Sequence, residues 1–316
     1  MTTPPHPTPP AFDPGLTQQY TGALLRTINK DGSFNVYRKG FRAAAGSAYV
    51  ALVRMSWPRF LGLVVLAYLV ANSIFAIIYT ELGRDSVHAS ERNPGLSSFA
   101  EDFFFSAQTL TTVGYGSEYP FGLAASMVAS FEAAIGLAGF ALATGLIFAR
   151  FSRPSARLVF SDKMVVAPYR GITSLQFRIA NQRNNVLVDV QAELMLMTVE
   201  RDANGQLKRN FTELPMERKG INFLALTWTV VHPIDDRSPL FGKAREDMQR
   251  LQAELLILIR GFDDAFSQVV HARYSYRWDE IEWSARFAPA FDVSDAGYLI
   301  LDVGRVGEIL RIQAAN

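Results

Sequence analysis

The groups in this chain best suited to chemistry are backbone carbonyls rather than side chains. The stretch Thr109-Leu110-Thr111-Thr112-Val113-Gly114-Tyr115-Gly116 lies between two long apolar segments near the middle of the sequence. An ion in a narrow pore must leave its water behind, so the wall has to replace that water with oxygen ligands at nearly equal free energy, and carbonyls do this well. Aiming successive carbonyls at one axis takes alternating backbone geometry, and Gly114 and Gly116 reach φ values that a Cβ resists. Val113 and Tyr115 would then pack outward and hold the ring open. Thr112 to Gly116 spells the known potassium-filter signature, with K+ expected at Thr112, Val113, Gly114 and Tyr115. The same letters also suit a Gly-rich hairpin turn, and their place between two apolar segments argues against that reading.

The elements that must position this run can be read on either side of it. Phe60 to Tyr79 carries no charge and is long enough to cross a hydrocarbon core, with Pro58 suited to the first turn of its helix and Trp57 and Tyr79 expected at the membrane interfaces. Glu81 to Gly95 reads as a short, polar, exposed turret. The segment up to Thr111, with Phe99, Phe103, Phe104, Phe105 and Leu110, is too short to cross and ends at the filter, which describes a re-entrant loop. Irregular backbone at membrane depth cannot face lipid, so several subunits must enclose it. Phe121 to Ala149 is the second span, and its one charge, Glu132, is expected to take hydrogen bonds from behind the filter, with Gln108 and Thr111 as nearby supports. Gly136, Gly139 and Gly145 permit close packing or bending.

Charge and composition bound the rest. The 31 Lys and Arg nearly balance 30 Asp and Glu, so bulk electrostatic binding to nucleic acid is not expected. Zero cysteines exclude disulfides and thiolate chemistry, and His6, His88, His232 and His271 are too scattered for a zinc spacing. No cofactor and no enzyme activity are expected. Arg54 and Arg59 precede the first span, and Arg150, Arg153 and Arg157 follow the second. The turret mixes Arg84 and Arg92 with Glu81, Asp85 and Glu91. By the positive-inside rule both termini are cytoplasmic, in a cell (inner) membrane.

The expected division is a disordered tail over 1–33, an interfacial slide helix over 34–56, a transmembrane pore domain over 57–153 and a cytoplasmic β-domain over 154–316. Within the pore domain the spans are 58–80 and 121–150, the pore helix 97–110 and the filter 112–116. After Pro154 the pattern turns to period two: Val188, Val190, Ala192, Leu194 and Leu196 alternate with Asp189, Gln191, Glu193 and Met195. Other candidate strands are Met164 to Tyr169, Leu175 to Gln182, Leu224 to Val231, Leu255 to Gly261, Val269 to Tyr276, Ile281 to Phe287 and Tyr298 to Val303. Some eight strands in about 160 residues suggest an immunoglobulin-like β-sandwich, with one clear helix over Lys243 to Gln252.

This order of interface helix, span, pore helix, filter, span and β-domain resembles the inward-rectifier potassium channels, in detail their prokaryotic class. The resemblance runs from about Phe34 to about Ile312. Beyond the filter it is carried by Phe103-Phe104-Phe105-Ser106, by Ala149-Arg150-Phe151-Ser152-Arg153-Pro154, and by His232-Pro233-Ile234-Asp235-Asp236-Arg237-Ser238-Pro239-Leu240. It implies a homotetramer whose cytoplasmic sandwiches extend the pore. It further implies Phe148 at the inner gate, Phe140 at the cavity position that sets rectification, and Asp189 as the acid that attracts blocking Mg2+ or polyamine. Gly261 with Phe262 would open the loop of the cytoplasmic constriction, and Arg150, Arg153 and Arg157 would meet anionic lipid such as a phosphoinositide. Each has a plainer reading: helix packing for the phenylalanines, a solvated strand face for Asp189, topology signals for the arginines. Three positions depart from the pattern. Gln108 stands where many members carry a glutamate behind the filter and Ser117 where many carry a charge, which leaves Glu132 to take over part of that support. Arg260 replaces an acid near the constriction. The rival to a potassium channel is a non-conducting membrane sensor whose β-domain binds a partner. A third possibility, a membrane-anchored enzyme, lacks a nucleophile, base and orienter near one another in sequence.

Overall fold

The computed structural model describes residues 14–16, 26–36, 45–89, 95–152, 156–202 and 204–312. They fall into two compact units, one within Lys39–Arg153 and the other within Met1–Arg38 together with Pro154–Asn316.

The first unit is helical. Helix α1 (Ala45–Arg54) is followed by α2 (Trp57–Leu82), which starts at an extended Ser56 with Pro58 in its first turn and stops at Gly83, φ +99°. Strand β1 (Val87–Ala89) comes next, then α3 (Ser98–Leu110), whose N-terminus is capped by the Ser97 side chain accepting from the Ala100 N–H. Strand β2 (Glu118–Pro120) pairs antiparallel with β1 and leads into α4 (Gly122–Phe151). Both α2 and α4 are long and apolar enough to cross a membrane. They expose apolar side chains such as Leu66, Val70, Leu123, Met127 and Leu137, which lipid or further subunits must cover. The turret is less exposed than expected: Val87 and Ser86 are buried, the Ser86 hydroxyl donates to the Tyr79 carbonyl, and the Phe121 N–H donates to the Ser86 carbonyl.

The second unit is a β-sandwich. Its strands are β3 (Leu158–Phe160), β4 (Met164–Tyr169), β5 (Ile172–Asn181), β6 (Leu187–Arg201), β7 (Leu207–Glu213), β8 (Gly220–Leu224) and β9 (Thr227–Ile234). The short helix α5 (Arg245–Arg250) then precedes β10 (Glu254–Asp263), β11 (Gln268–Arg277) and β12 (Ile281–Trp283). One five-stranded sheet runs β11-β10-β6-β7 with β8 also on β6; the other runs β12-β4-β5-β3 with β9 also on β5. Phe177, Ile179 and Trp228 of one sheet and Leu194, Ile257 and Tyr274 of the other share one core. The three-residue strands β13 (Ala285–Phe287), β14 (Phe291–Val293), β15 (Leu299–Leu301) and β16 (Ile309–Arg311) pair as β13-β16 and β14-β15.

Three expectations change here. The apolar face of β6 does not run unbroken from Val188. Asp189 sits at φ +46° in a bulge opposite Arg260 to Phe262, so the alternation skips a residue and Leu187 rather than Val188 enters the core. The expected strand over Ile281 to Phe287 is two strands, because Ser284 at φ +55° breaks it between β12 and β13. Residues 26–33, placed in a disordered tail, instead lie on the β10/β11 sheet. Ile28 is buried against Met197, Phe211 and Leu256, and the Thr27 N–H and hydroxyl donate to the buried Glu254 carboxylate. Arg26 and Lys30 pair with Glu280. Gly32 (φ +79°) passes so close to β11 that a Cβ there would lie 3.0 Å from the Arg273 carbonyl oxygen.

Candidate functional site

The filter is built from the C-terminal end of α3. Four successive N–H groups turn back toward it: Thr112 donates to the Thr109 carbonyl (3.0 Å), Val113 and Gly114 to the Gln108 carbonyl (2.9 and 3.3 Å), and Tyr115 to the Gln108 side-chain oxygen (3.1 Å). In a trans peptide the C=O points opposite to the N–H, and the chain has no cis bonds among the described residues, so the carbonyls of residues 111–114 all turn away from α3. Positive φ at Thr112 (+59°), Gly114 (+51°) and Gly116 (+84°), with Val113 and Tyr115 between them outside that region, makes this possible. A β-branched residue in the left-handed region is strained, and strain of this kind persists where a function requires it. The dipole of α3 adds to the effect by bringing its negative end to the filter. Within one chain Tyr115 is 83% and Val113 53% exposed, so whatever they pack against lies outside the chain.

Two side-chain clusters hold this end of α3. In the first, the Gln108 amide accepts from Tyr115 and donates from Nε2 to the Glu118 carboxylate at 2.5 Å, tying the start of the filter to the residue two past its end. Gln108, read from the sequence as a filter support without an ion pair, hydrogen-bonds Glu118, one residue beyond Ser117. In the second, Glu132 on α4 is fully buried, accepts from the Tyr79 hydroxyl of α2 (2.8 Å) and lies 2.5 Å from the Ser106 hydroxyl of α3, and Ser106 also lies 3.0 Å from the Asn72 side-chain oxygen. Glu132 therefore joins the three helices and reaches the filter only through α3. Tyr79, expected at a membrane interface, is fully buried in this cluster and packs edge-on against Phe105 at 5.0 Å. Thr111 donates its hydroxyl to the Ala107 carbonyl (2.7 Å). Gly136 lets α4 approach so closely that a Cβ would fall 1.9 Å from the Leu110 carbonyl oxygen, whereas Gly139 and Gly145 meet nothing within 4 Å.

Asn72, Ser106 and Glu118 were missed as supports. A polar residue inside an apolar segment is the signal that could have found the first two.

At the other end of α4, Phe140 and Phe148 are 74% and 71% exposed within one chain. Arg150 is engaged. Its guanidinium donates to the carbonyls of Leu52, Val53 (3.4 Å) and Met55 (2.6 Å), groups the end of α1 leaves without helical partners. It also lies 4.6 Å from the Trp57 ring centre and 4.5 Å from that of Phe60. Arg153 lies outside the described residues, and Arg157 is exposed.

In the sandwich, Asp189 is exposed at its bulge with the Gln191 amide 3.4 Å away. Arg260 pairs with Glu193 at 3.0 Å, and both are about half exposed, so its charge is locally offset. Gly261 and Phe262 lie inside β10 rather than opening a loop; the β10–β11 turn follows Asp263. The buried Asp263 carboxylate organises that turn, accepting from Ala265 N–H (3.1 Å), Phe266 N–H (3.3 Å) and the Asn185 amide (2.7 Å). His232 is fully buried. Its Nδ1 must carry the proton, because the Pro215 carbonyl at 2.6 Å can only accept, which leaves Nε2 to accept from the Ser238 hydroxyl at 2.8 Å. Burial favours the neutral ring and lowers its pKa, against the opposing effect of the Pro215 bond.

Comparison with known proteins decides what this assembly is. A family model described as the inward rectifier potassium channel C-terminal domain matches residues 158–316, and one described as ion channel matches residues 63–153. The inward rectifier potassium channel Kirbac3.1 of Paramagnetospirillum magnetotacticum is 38% identical over 286 residues, covering 90% of this chain and 95% of that protein. The chain belongs to the inward-rectifier potassium channel family. The G protein-activated inward rectifier potassium channels 1 of Bos taurus and Homo sapiens are 26% identical over 306 residues, covering 87% of this chain, which spans 59% of their length. The family is one of tetrameric ion channels rather than enzymes and needs no cofactor. Within it, the His232 to Leu240 motif of this chain packs as a structural corner around the buried histidine.

Proposed function

We propose that four copies of this chain form a potassium-selective pore in which the carbonyls from Thr112 to Tyr115 replace the hydration shell of K+. The observation that carries this reading is the alternation of positive φ at Thr112, Gly114 and Gly116 with the N–H groups of residues 112–115 turned back to α3. Neighbouring copies would cover the exposed Tyr115 and Val113 and close the ring. In this reading both termini are cytoplasmic and the channel sits in the cell membrane, which the basic residues Arg54, Arg59 and Arg157 beside the inner ends of the spans support.

Phe148 is the inner gate in this reading, where an apolar ring stops ions by dewetting. Rectification by Mg2+ or polyamine is weak, since Phe140 offers no cavity charge, Asp189 is solvated, and Arg260 is offset by Glu193. Gly261 and Phe262 lead into the turn that forms the cytoplasmic constriction. Anionic lipid acts through Arg157 and Arg153, because Arg150 already directs both of its terminal guanidinium nitrogens to the carbonyls of Leu52, Val53 and Met55.

The test is Rb+ uptake by K+-loaded liposomes containing the purified tetramer. Selective uptake is expected in the wild type and none in Gly114→Ala, which forces a Cβ into φ +51° at a cost of about 1–2 kcal/mol in each subunit. Normal selectivity in that variant would remove the filter from this reading.

A further inference from the structure

We infer that the Glu132 carboxyl holds a proton on Oε1 and donates it to Ser106, which makes Glu132 a positioning residue for α3. The place of the proton stands on the side chains alone, and its consequence for the filter rests on the potassium-channel reading above.

Protons can be counted against contacts. Asn72, Tyr79, Ser106 and Glu132, where α2, α3 and α4 cross, are all fully buried. They make three oxygen–oxygen contacts in a row: the Tyr79 hydroxyl to Glu132 Oε2 (2.8 Å), Glu132 Oε1 to the Ser106 hydroxyl (2.5 Å), and the Ser106 hydroxyl to Asn72 Oδ1 (3.0 Å). All three distances are those of O–H···O hydrogen bonds, and each needs one proton between its oxygens. Asn72 supplies none of them. Its Nδ2 donates to the Tyr68 carbonyl at 2.7 Å, a group that can only accept, so the amide is fixed with its oxygen toward Ser106. The single Ser106 proton therefore goes to Asn72, and the Tyr79 proton goes to Oε2. The 2.5 Å contact between them has no donor left but the carboxyl itself. An ionised Glu132 fails the count: Ser106 would have to choose between two acceptors, and the one it left would face a lone pair in a buried site, where an unmet acceptor is costly. Both partners of the carboxyl in this row are neutral hydroxyls, which suit a neutral acid better than a buried charge.

The proton gives the row a direction. It runs from Glu132 on α4 through Ser106 on α3 to Asn72 on α2 and ends on the Tyr68 carbonyl, one turn back along α2, so that one chain of donors ties three helices. Ser106 lies one turn before Leu110, the last residue of α3, and Gly136, one turn along α4 from Glu132, is where α4 meets the Leu110 carbonyl. The row and that close approach fix the same end of α3, the platform from which the filter leaves.

The first experiment is the infrared spectrum of purified tetramers at pH 8 in a detergent without ester groups. Exposed carboxyls are ionised at that pH, so the carbonyl stretch of a protonated acid reports a buried one. Subtracting the spectrum of Glu132→Gln from that of the wild type should leave this acid band. Ser106→Ala removes the acceptor of the carboxyl proton and should move the band to higher frequency. Loss of carboxylate bands in place of the acid band, or an acid band indifferent to Ser106→Ala, would overturn the inference. The second experiment is Rb+ uptake by liposomes against competing Na+. Glu132→Gln can donate to Ser106 and accept from Tyr79 as the acid does, and should stay within about threefold of wild-type selectivity. Glu132→Leu leaves both hydroxyls without the carboxyl and should lower selectivity about tenfold. Glutamine falling as far as leucine would overturn the positioning role. Should either variant not assemble, the wild-type acid band and its response to Ser106→Ala decide alone. A wild type without K+-selective uptake would sink the channel reading and leave the infrared result standing, whereas a selective wild type without the acid band would sink only this inference.

Discussion

Replacing Gly136 by alanine puts one methyl group between α4 and the end of α3. The new Cβ would lie 1.9 Å from the Leu110 carbonyl oxygen, 2.7 Å from its carbon and 3.0 Å from its Cα. Carbon contacts settle at about 3.5 Å, so the helices must part by roughly 1.5 Å. Leu110 is the last residue of α3, two residues before Thr112, where the filter begins. A built ligand site tolerates about 0.5 Å of displacement, so the shift exceeds what the filter can absorb. Overpacking costs about 1–3 kcal/mol per site, more than the roughly 1 kcal/mol that alanine gains over glycine in a helix. Rb+ uptake by Gly136→Ala should drop more than tenfold, or its tetramer should fall apart in detergent. Gly139→Ala is the control, since nothing among the described residues lies within 4 Å of its Cβ, and it should assemble and conduct as the wild type does. Wild-type uptake and Na+ discrimination in Gly136→Ala would refute the reasoning, because the two helices would then not be in contact at that point.

Phe140→Asp should convert weak block into steep, voltage-dependent block by spermine in bilayer recordings, because each blocker charge gains about 2.3 kcal/mol per 100 mV for the share of the field it crosses. An unchanged block would mean that the side chain does not face the pore. Phe148→Ala should raise resting flux in liposomes; equal flux from an intact tetramer would move the gate elsewhere, to the turn after Asp263. Arg157→Gln should shift the titration of flux with anionic lipid, whereas Arg150→Gln should chiefly lower the melting temperature by freeing the carbonyls of Leu52, Val53 and Met55. The opposite pattern would return Arg150 to the lipid. Burial holds the His232 pKa below its ordinary value near 6.5, so the unfolded chain binds this proton first as the pH falls. Its contribution to stability is fully present above about pH 6.5 and declines toward the lowered folded value, by at most about 1.4 kcal/mol per pH unit. Melting temperatures at pH 7.5, 6.5 and 5.5 should therefore depend less on pH in His232→Gln, and equal slopes would count against the buried neutral ring.

The sequence by itself determined the features encoded over a few residues. Glycine's lack of a Cβ permits the positive φ at Gly114 and Gly116, the two crossing helices follow from length without charge, and the central strand β6 from period-two alternation. Such signals need no knowledge of what lies across the core. Strands β3, β14 and β16 escaped because each is three residues long, too short for a period to register, and β7 and β8 because their burial does not alternate. The bulge at Asp189 escaped because a skipped residue leaves the composition unchanged. Tertiary structure alone chose the partners of the polar groups. Glu132 could be read as buried, but Tyr79 and Ser106 became its partners because α2, α3 and α4 cross at that level. Arg150 could be read as basic and near the membrane face, but the open carbonyls of α1, some 95 residues earlier in the chain, claimed it. Gln108 found Glu118 because the filter doubles back on α3. A buried or half-buried polar group takes whichever partner the packing brings within 3 Å, and that distance is set by how helices and strands cross, which no local pattern records.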